Sequence, residues 1–143
     1  LVRQLACVAG PFHLDGWVAG VIDPANPPPA FFAAGYGEVS PDGVEHWPVV
    51  VDKLAQAHLA GPTLGADDLG RMTCRALVMV GDDDEVALEH AAEFYRALPR
   101  GELAVVPGTS HGLLVEKPEL CHHILLDFLT QAAIETLAPL GRR

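Results

Sequence analysis

Three short apolar runs, each ended by glycine or proline, most constrain what this chain of 143 residues can fold into. The runs are QLACVA, ALVMV and ELAVV, at residues 4–9, 76–80 and 102–106. Continuous apolar runs of this length are typical of strands that are covered on both faces, as in a parallel sheet. We therefore predict three parallel strands at about these positions.

Two segments after the second and third runs carry apolar residues at helical spacing. In the first segment, VALEHAAEFYRALP, the predicted apolar stripe comprises Leu88, Ala91, Ala92, Tyr95 and Leu98. The second segment starts at Pro118, a residue that suits the first turn of a helix. Its predicted stripe comprises Cys121, Ile124, Leu125, Phe128 and Ala132. The second half of the chain therefore has the order strand–helix–strand–helix, which is typical of α/β proteins with a parallel sheet.

Residues 16–70, between the first and second strands, follow a different pattern. They contain DPANPPPAFF, which is too rich in proline for a helix or a central strand. PVVVDKLAQAHL, at 48–59, is predicted to be a helix, and GADDLGRM a further short helical turn. We expect residues 16–70 to be an excursion laid over the sheet, within a single domain that spans 1–143.

The charge of the chain restricts its partners. The formal net charge is −10, which argues against nucleic acid and against an anionic membrane surface as partners. No apolar run approaches the roughly 20 residues that a membrane-spanning helix needs. The three cysteines are odd in number and widely spaced, so we expect reduced core thiols and a cytoplasmic protein.

A cluster of carboxylates and a histidine follow two of the predicted strands. Asp82, Asp83 and Asp84 come directly after the second strand, and GTSHGLL, with His111, comes after the third. Adjacent parallel strands place their carboxyl-terminal loops at the same edge of the sheet, where open α/β sheets bind ligands. We therefore expect one of the aspartates to accept a hydrogen bond from His111, which would fix the tautomer of the imidazole and leave its other nitrogen as a base.

The segments LVMVGDDDEV, LAVVPGTSHGLLVEKPEL and ILLDFL together resemble the last third of an α/β-hydrolase. In that family the chain order is nucleophile, acid and histidine. The acid usually stands three residues after the glycine that ends its strand, which is Asp84 here, and the histidine follows the last strand, which is His111. The resemblance covers roughly residues 1–137 and implies that 16–70 corresponds to the family's helical cap.

The resemblance implies a serine hydrolase with a Ser-His-Asp triad that acts on an ester, lactone, amide or related bond of a small molecule. No cofactor and no metal are implied. His13 and Trp17, in the loop after the first strand, are expected to bind substrate or to pack beneath the cap. The family's G-x-S-x-G motif is absent, since the two serines are Ser40 and Ser110. We expect the chain to correspond to the carboxy-terminal portion of such an enzyme, with the serine outside it.

The sequence is also compatible with several alternatives. The chain could be a non-catalytic binding or interaction module with a hydrolase-like fold, and Asp15 is a second candidate for the acid. The three aspartates could instead hold Mg²⁺, whereas His122 and His123 do not meet the spacing of a zinc site. The strand at 4–9 is expected to be an open edge, which would pair with a second copy or with the missing half of the enzyme.

Overall fold

Three strands form a parallel sheet in the computed structural model, which describes residues 2–23 and 28–138. The strands are β1 (Gln4–Val8), β2 (Arg75–Gly81) and β3 (Gly101–Val106). Their order is β1-β2-β3, with β2 hydrogen-bonded to both neighbours. The prediction of three parallel strands is confirmed, with bounds that differ by one residue at each affected end.

Helices cover both faces of this sheet. The helices are α1 (Ala30–Val39), α2 (Trp47–Ala60), α3 (Ala66–Gly70), α4 (Leu88–Ala97), α5 (Leu113–Glu116) and α6 (Pro118–Thr130). Short 3₁₀ turns occur at Leu14–Gly16 and Val44–His46. None of the helices in the described part of the chain is long and apolar enough to cross a membrane.

The central strand β2 is buried along its whole length and divides the core into two layers. Ala76, Val78 and Val80 belong to the core layer that contains Phe94 of α4. Leu77 and Met79 belong to the opposite layer, whose other members include Leu113 of α5, and Cys121 and Phe128 of α6. Alternate residues of a strand point to opposite faces, so the unbroken apolar run in the sequence serves two layers at once.

Helix α4 buries part of the apolar stripe that its sequence predicts. Ala91 and Leu98 are buried, whereas Leu88 is 39% exposed. His90 and Phe94, which the predicted stripe left out, are buried as well, and a histidine counts as polar in any hydrophobic pattern. The burial of His90 becomes important for the loop that packs against it.

The excursion between β1 and β2 contains α1, α2 and α3. The prediction missed α1, which begins at Ala30 directly after Pro29; residues 24–27 of the proline-rich run lie outside the described residues. Neither α1 nor α2 has a buried residue. The two helices meet through Tyr36, whose hydroxyl lies 2.8 Å from Nδ1 of His46 and whose ring lies 5.5 Å from that of Trp47.

A buried arginine joins the sheet to the last helix. Arg75, at the start of β2, forms a two-pronged ion pair with Glu102 of β3. Its Nη1 also donates to the carbonyl oxygens of Phe128 and Gln131, at 2.8 and 2.9 Å, and its guanidinium stacks over the Phe128 ring. Carbonyls at the end of a helix have no partner within the helix, so Arg75 satisfies the end of α6 from the sheet.

The three cysteines form no disulfide. Cys121 is buried, and its thiol donates to the carbonyl oxygen of Leu113 at 3.2 Å. Burial raises the pKa of the Cys7 and Cys121 thiols. A thiol with a raised pKa carries little thiolate, so these cysteines are unreactive residues of the fold.

Candidate active site

The turn after β2 and the loop after β3 meet at the carboxyl edge of the sheet. Gly81 makes this approach possible, because a Cβ on it would lie 2.3 Å from the carbonyl oxygen of Thr109 and 2.6 Å from that of Ser110. The backbone N–H of Asp83 donates to the Thr109 oxygen at 3.0 Å. The close packing of two backbones therefore fixes the distance between the aspartate turn and the histidine loop.

Asp84 and His111 lie within hydrogen-bond distance in this edge. His111 Nδ1 is 2.9 Å from Asp84 Oδ1. Asp84 Oδ1 also accepts from the N–H of Val86 at 3.1 Å, and its Oδ2 accepts from the N–H of Gly81 at 2.9 Å. The Asp84 side chain is 0% exposed, so two backbone donors and one imidazole donor satisfy a buried carboxylate. An ionised carboxylate only accepts, so a neutral His111 bonded to it carries its proton on Nδ1 and leaves Nε2 as an acceptor.

The other two aspartates have different surroundings. Asp82 Oδ1 accepts from the N–H of Thr109 at 3.1 Å, and the backbone N–H groups of Gly108 and Thr109 lower the pKa of Asp82. Asp83 is exposed. Over residues 2–23 and 28–138, no group of three or more His, Cys, Asp or Glu side chains is arranged to hold a metal ion. Asp82 is therefore hydrogen-bonded to the backbone of the histidine loop, and Asp84 to the imidazole of His111.

A second carboxylate, which the sequence did not indicate, shapes the histidine loop from the other side. Glu116 of α5 accepts from the N–H and from the hydroxyl of Ser110, at 2.7 and 2.6 Å. These two hydrogen bonds lower the pKa of Glu116. Ser110 Oγ in turn accepts from the N–H of Gly112 at 3.2 Å. The hydroxyl of Ser110 is thus engaged in the fold of the loop.

Trp17 lies between His111 and a small cavity. Its ring centroid is 5.8 Å from that of His111 and 5.8 Å from that of His58, which projects from α2. The cavity has a volume of about 270 Å³ and is lined by Leu14, Trp17, Val18, Ala19, Gly20, Ile22, His58 and Leu59. Sequence reasoning pointed to Trp17 but missed His58, because a histidine on an exposed helix carries no pattern of its own.

The remaining two candidate residues pair with each other. Asp15 is exposed, with its carboxylate oxygen Oδ2 3.2 Å from Nδ1 of His13. His13 Nδ1 also accepts from the N–H of Asp15 and so caps the 3₁₀ turn at Leu14–Gly16. Asp15 therefore contacts His13, while Asp84 contacts His111. His13 is outside the set of side chains that line the cavity.

The chain is similar in sequence to members of one protein family. Residues 2–123 match the model of the Alpha/beta hydrolase family. Two sequences from Mycobacterium tuberculosis strains, both named "Putative phosphoribosyl transferase", are 32% identical over 106 residues, which are 73% of this chain and 24% of each relative. The chain thus spans about a quarter of the length of the curated relatives that it matches.

Solved structures share the fold at low sequence identity. The Mycobacterium tuberculosis H37Rv structure named "Putative non-heme bromoperoxidase BpoC" matches with a TM-score of 0.62 and 18% identity, over 92% of this chain and 60% of that one. The meta-cleavage product hydrolase CumD of Pseudomonas fluorescens IP01 matches with a TM-score of 0.62 and 13% identity, over 92% of this chain and 57% of that one. MGS-M2, an alpha/beta hydrolase enzyme from a deep-sea metagenome, matches with a TM-score of 0.61 and 14% identity, over 95% and 59%.

Proposed function

Because the chain belongs to the alpha/beta hydrolase family, we propose that it forms the acid–histidine part of a serine hydrolase active site. The reaction is hydrolysis of an ester, lactone, amide or related bond of a small molecule, and no cofactor takes part. The observation that carries this proposal is the hydrogen bond of 2.9 Å between the buried carboxylate of Asp84 and His111. A carboxylate that fixes the imidazole tautomer is what a base in acyl transfer needs.

The proposed roles follow from the orientation of His111. A serine outside these 143 residues attacks the carbonyl carbon of the substrate, and Nε2 of His111 takes the hydroxyl proton. The same proton passes to the leaving alkoxide or amine as the carbonyl–heteroatom bond breaks. Water then attacks the acyl-serine and gives a proton to His111, which returns it to the serine oxygen as the acyl–oxygen bond breaks and the acid product leaves. Asp84 stabilises the imidazolium in both steps and stays ionised.

The cavity beside Trp17 supports a small apolar substrate group. Its lining contains no carboxylate and no lysine or arginine, and its polar side chains are those of Trp17 and His58. A cavity of about 270 Å³ lies near the lower limit of ordinary ligand pockets. We propose that an acyl or alcohol group of a few carbon atoms lies against Trp17, with the excursion acting as the cap that closes over it.

The names of the relatives are weaker guides than this site. The proteins named as phosphoribosyl transferases share only a quarter of their length with this chain. The structures named as a bromoperoxidase and as a meta-cleavage product hydrolase are under 20% identical, so they support the fold and leave the substrate open. The proposal therefore rests on Asp84 and His111.

The test uses the protein expressed from the whole reading frame that encodes these residues. We expect an in-frame G-x-S-x-G upstream of Leu1, covalent labelling by a fluorophosphonate, and hydrolysis of short-chain p-nitrophenyl esters. His111→Ala should lower kcat by on the order of 10⁶-fold, as removing the base of a triad does. Asp84→Asn should lower it by about 10⁴-fold, because the amide favours the wrong tautomer.

The matched control is Asp83→Asn, which removes the same charge one residue away from an exposed position. It should leave kcat within about threefold of the wild type, since exposed charges contribute little. Full turnover in His111→Ala would remove the triad from consideration. For residues 1–143 alone, we expect no labelling by the fluorophosphonate.

A second candidate function is that of a binding module, and the outer edge of β1 favours it. Within the described residues β1 pairs only with β2, and Leu5 and Cys7 are only partly buried. An unpaired edge without proline or inward charge accepts another strand. As a binding module, we propose that β1 pairs with a second copy of the chain; pairing with the nucleophile-bearing segment belongs to the enzyme proposed above. Light scattering on residues 1–143 alone tests this: a monodisperse monomer whose residues 4–8 are protected from hydrogen exchange would contradict pairing.

A further inference from the structure

A buried histidine holds the segment that follows β1. His90, on α4, is 7% exposed, and its Nε2 accepts a hydrogen bond of 3.2 Å from the backbone N–H of Phe12. The ring of Phe12 stacks on the imidazole with centroids 4.1 Å apart and an angle of 12° between the planes. His90 therefore contacts Phe12 in two ways, one polar and one apolar, and no other aromatic side chain of similar size offers both.

The same imidazole is in contact with Gly16, one residue before Trp17. A Cβ on Gly16 would lie 2.3 Å from Cδ2 and 2.5 Å from Nε2 of His90, so only glycine allows this approach. The carbonyl oxygen of Gly16 accepts from the N–H of Ala87 at 2.9 Å, and Trp17 forms an isolated backbone bridge with Val86. The segment 12–17 thus lies along the residues that follow Asp84, with His90 beneath it.

The position of Trp17 follows from this attachment. Its indole packs against His111 with centroids 5.8 Å apart and also lines the cavity. The backbone on its amino-terminal side is held by His90 through Phe12 and Gly16. After loss of the contact at His90, the segment would still be held by its backbone hydrogen bonds to residues 85–87. The indole would then be held less firmly at its distance from the imidazole of His111.

We propose that His90 is a positioning residue for the candidate active site, which holds the segment 12–17, and through it Trp17, against His111. This role rests on the proposed function only in so far as that function makes the surroundings of His111 an active site. His90 acts through Phe12 and Gly16 and makes no contact with substrate in this arrangement.

The contact is sensitive to acid because an acceptor nitrogen must be unprotonated. Neutral His90 with Nε2 as acceptor carries its proton on Nδ1, and a second proton would place two N–H groups face to face. Burial lowers the pKa of His90, and His13 lowers it further, whereas Glu93 and Asp15 raise it. Stability from this contact is present above the ordinary histidine pKa of about 6.5 and is lost as the pH falls below it.

The experiment follows the Phe12 amide and the Trp17 indole by NMR in ¹⁵N-labelled protein with Trp47→Phe, so that Trp17 is the sole tryptophan. His90→Gln keeps an acceptor without a titratable ring, and His90→Phe keeps a ring without an acceptor. His122→Phe makes the same change at an exposed position on α6 and is the control. Hydrogen-exchange protection factors are measured in steps downwards from about pH 7.5, because burial moves the pKa of His90 below the ordinary histidine range.

In the wild type, we expect the Phe12 amide to lose protection by about tenfold as the pH falls through the lowered folded-state pKa of His90, as a lost buried hydrogen bond implies, with a parallel shift of the Trp17 indole resonance. His90→Gln should keep its protection across the series, and His90→Phe should lack it throughout. Wild-type protection in His90→Phe, or the same acid loss in His90→Gln, would overturn the proposal. The ¹⁵N shift of His90 needs no variant: a protonated Nε2 at about pH 7.5 would also overturn it.

The NMR and hydrogen-exchange measurements do not depend on turnover. Unchanged protection of the Phe12 amide in His90→Phe would therefore contradict the role of His90 and leave the proposed function untouched. Loss of the triad interpretation comes from the separate measurement on His111→Ala.

Discussion

The carboxyl edge of the sheet and the excursion between β1 and β2 are built in opposite ways. At the edge, β2 is wholly buried, the Asp84 side chain is 0% exposed, and each loop is tied to its neighbour by backbone hydrogen bonds. In the excursion, α1 and α2 contain no buried residue. Phe31 and Val39 of α1 are 67% and 83% exposed.

The difference separates two tasks within one chain. The relative position of Asp84 and His111 depends on β2, β3 and the contact of Gly81 with the loop. Helix α2 contacts this site through His58, which packs against the Trp17 ring beside His111. The excursion is anchored at its ends, where Leu64 donates to the carbonyl oxygen of Phe12 and Leu69 is fully buried. A closely held acid–imidazole pair beside helices without buried residues allows those helices to vary without displacing the pair.

The largest effect on stability should come from the core layer beneath the site. Met79 is 0% exposed in β2, so Met79→Ala should lower the free energy of unfolding by about 3 kcal/mol through the lost burial and the cavity left behind. Leu54→Ala, on α2 at 41% exposure, should cost less than about 1 kcal/mol. Urea denaturation measures both, and equal losses would contradict the contrast between the two regions.

A smaller effect should follow from crowding the edge itself. Gly81→Ala sets a methyl group against two backbone carbonyls, so the loop must move, at a cost of about 1–3 kcal/mol. The Asp84–His111 hydrogen bond should lengthen. The NMR signal of the His111 Nδ1 proton, which that bond shifts downfield in the wild type, should then be lost. Gly70→Ala in α3 meets no atom within 4 Å and is the control. An unchanged His111 proton in Gly81→Ala would show that the loop tolerates displacement.

The smallest effect concerns the Asp82 tether, which is the hydrogen bond from the N–H of Thr109 to Asp82 Oδ1, at low pH. The folded-state pKa of Asp82 is lowered by the N–H groups of Gly108 and Thr109, so the folded protein binds fewer protons than the unfolded chain in this range. Stability from the tether is therefore present above the ordinary carboxyl pKa of about 4 and is lost as the pH falls through the lower folded value.

Asp82→Asn should flatten the acid side of the stability curve, measured as the urea midpoint between about pH 5 and pH 3. Asp83→Asn, which removes an exposed charge from the same turn, is the control. Curves for wild type and Asp82→Asn that run parallel would show that the hydrogen bond to Thr109 contributes nothing.

The sheet was predictable because burial on two faces leaves an unbroken apolar run. The bounds of β2 and β3 were found to within one residue from ALVMV and ELAVV. Helix α1 was missed because Pro29 and two internal glycines, Gly35 and Gly37, lower helix propensity; its stability comes from contacts with the Val44–His46 turn. Helix propensity depends on the residues within the helix, whereas those contacts are made with residues outside it.

The site was predictable as far as parallel topology reaches. Chain order and strand adjacency bring Asp84 to His111, and the contact exists at 2.9 Å. The same reasoning had no means of finding Glu116 or His90. Both accept from a backbone N–H in a loop, and Glu116 also accepts from the hydroxyl of Ser110 in the same loop. A side chain that bonds to a backbone group needs no complementary residue type, so no pair of residues in the sequence indicates the contact.

Arg75 sets a minimum extent for α6. Its guanidinium depends on carbonyls at positions 128 and 131 as well as on Glu102, and it lies at the base of the fully buried strand. A protease that trimmed the chain to residue 127 would leave a charged group in the interior with half of its partners gone, a loss that the fold tolerates poorly. Digestion from that end should therefore halt beyond residue 131 or proceed to small peptides, with few stable products in between.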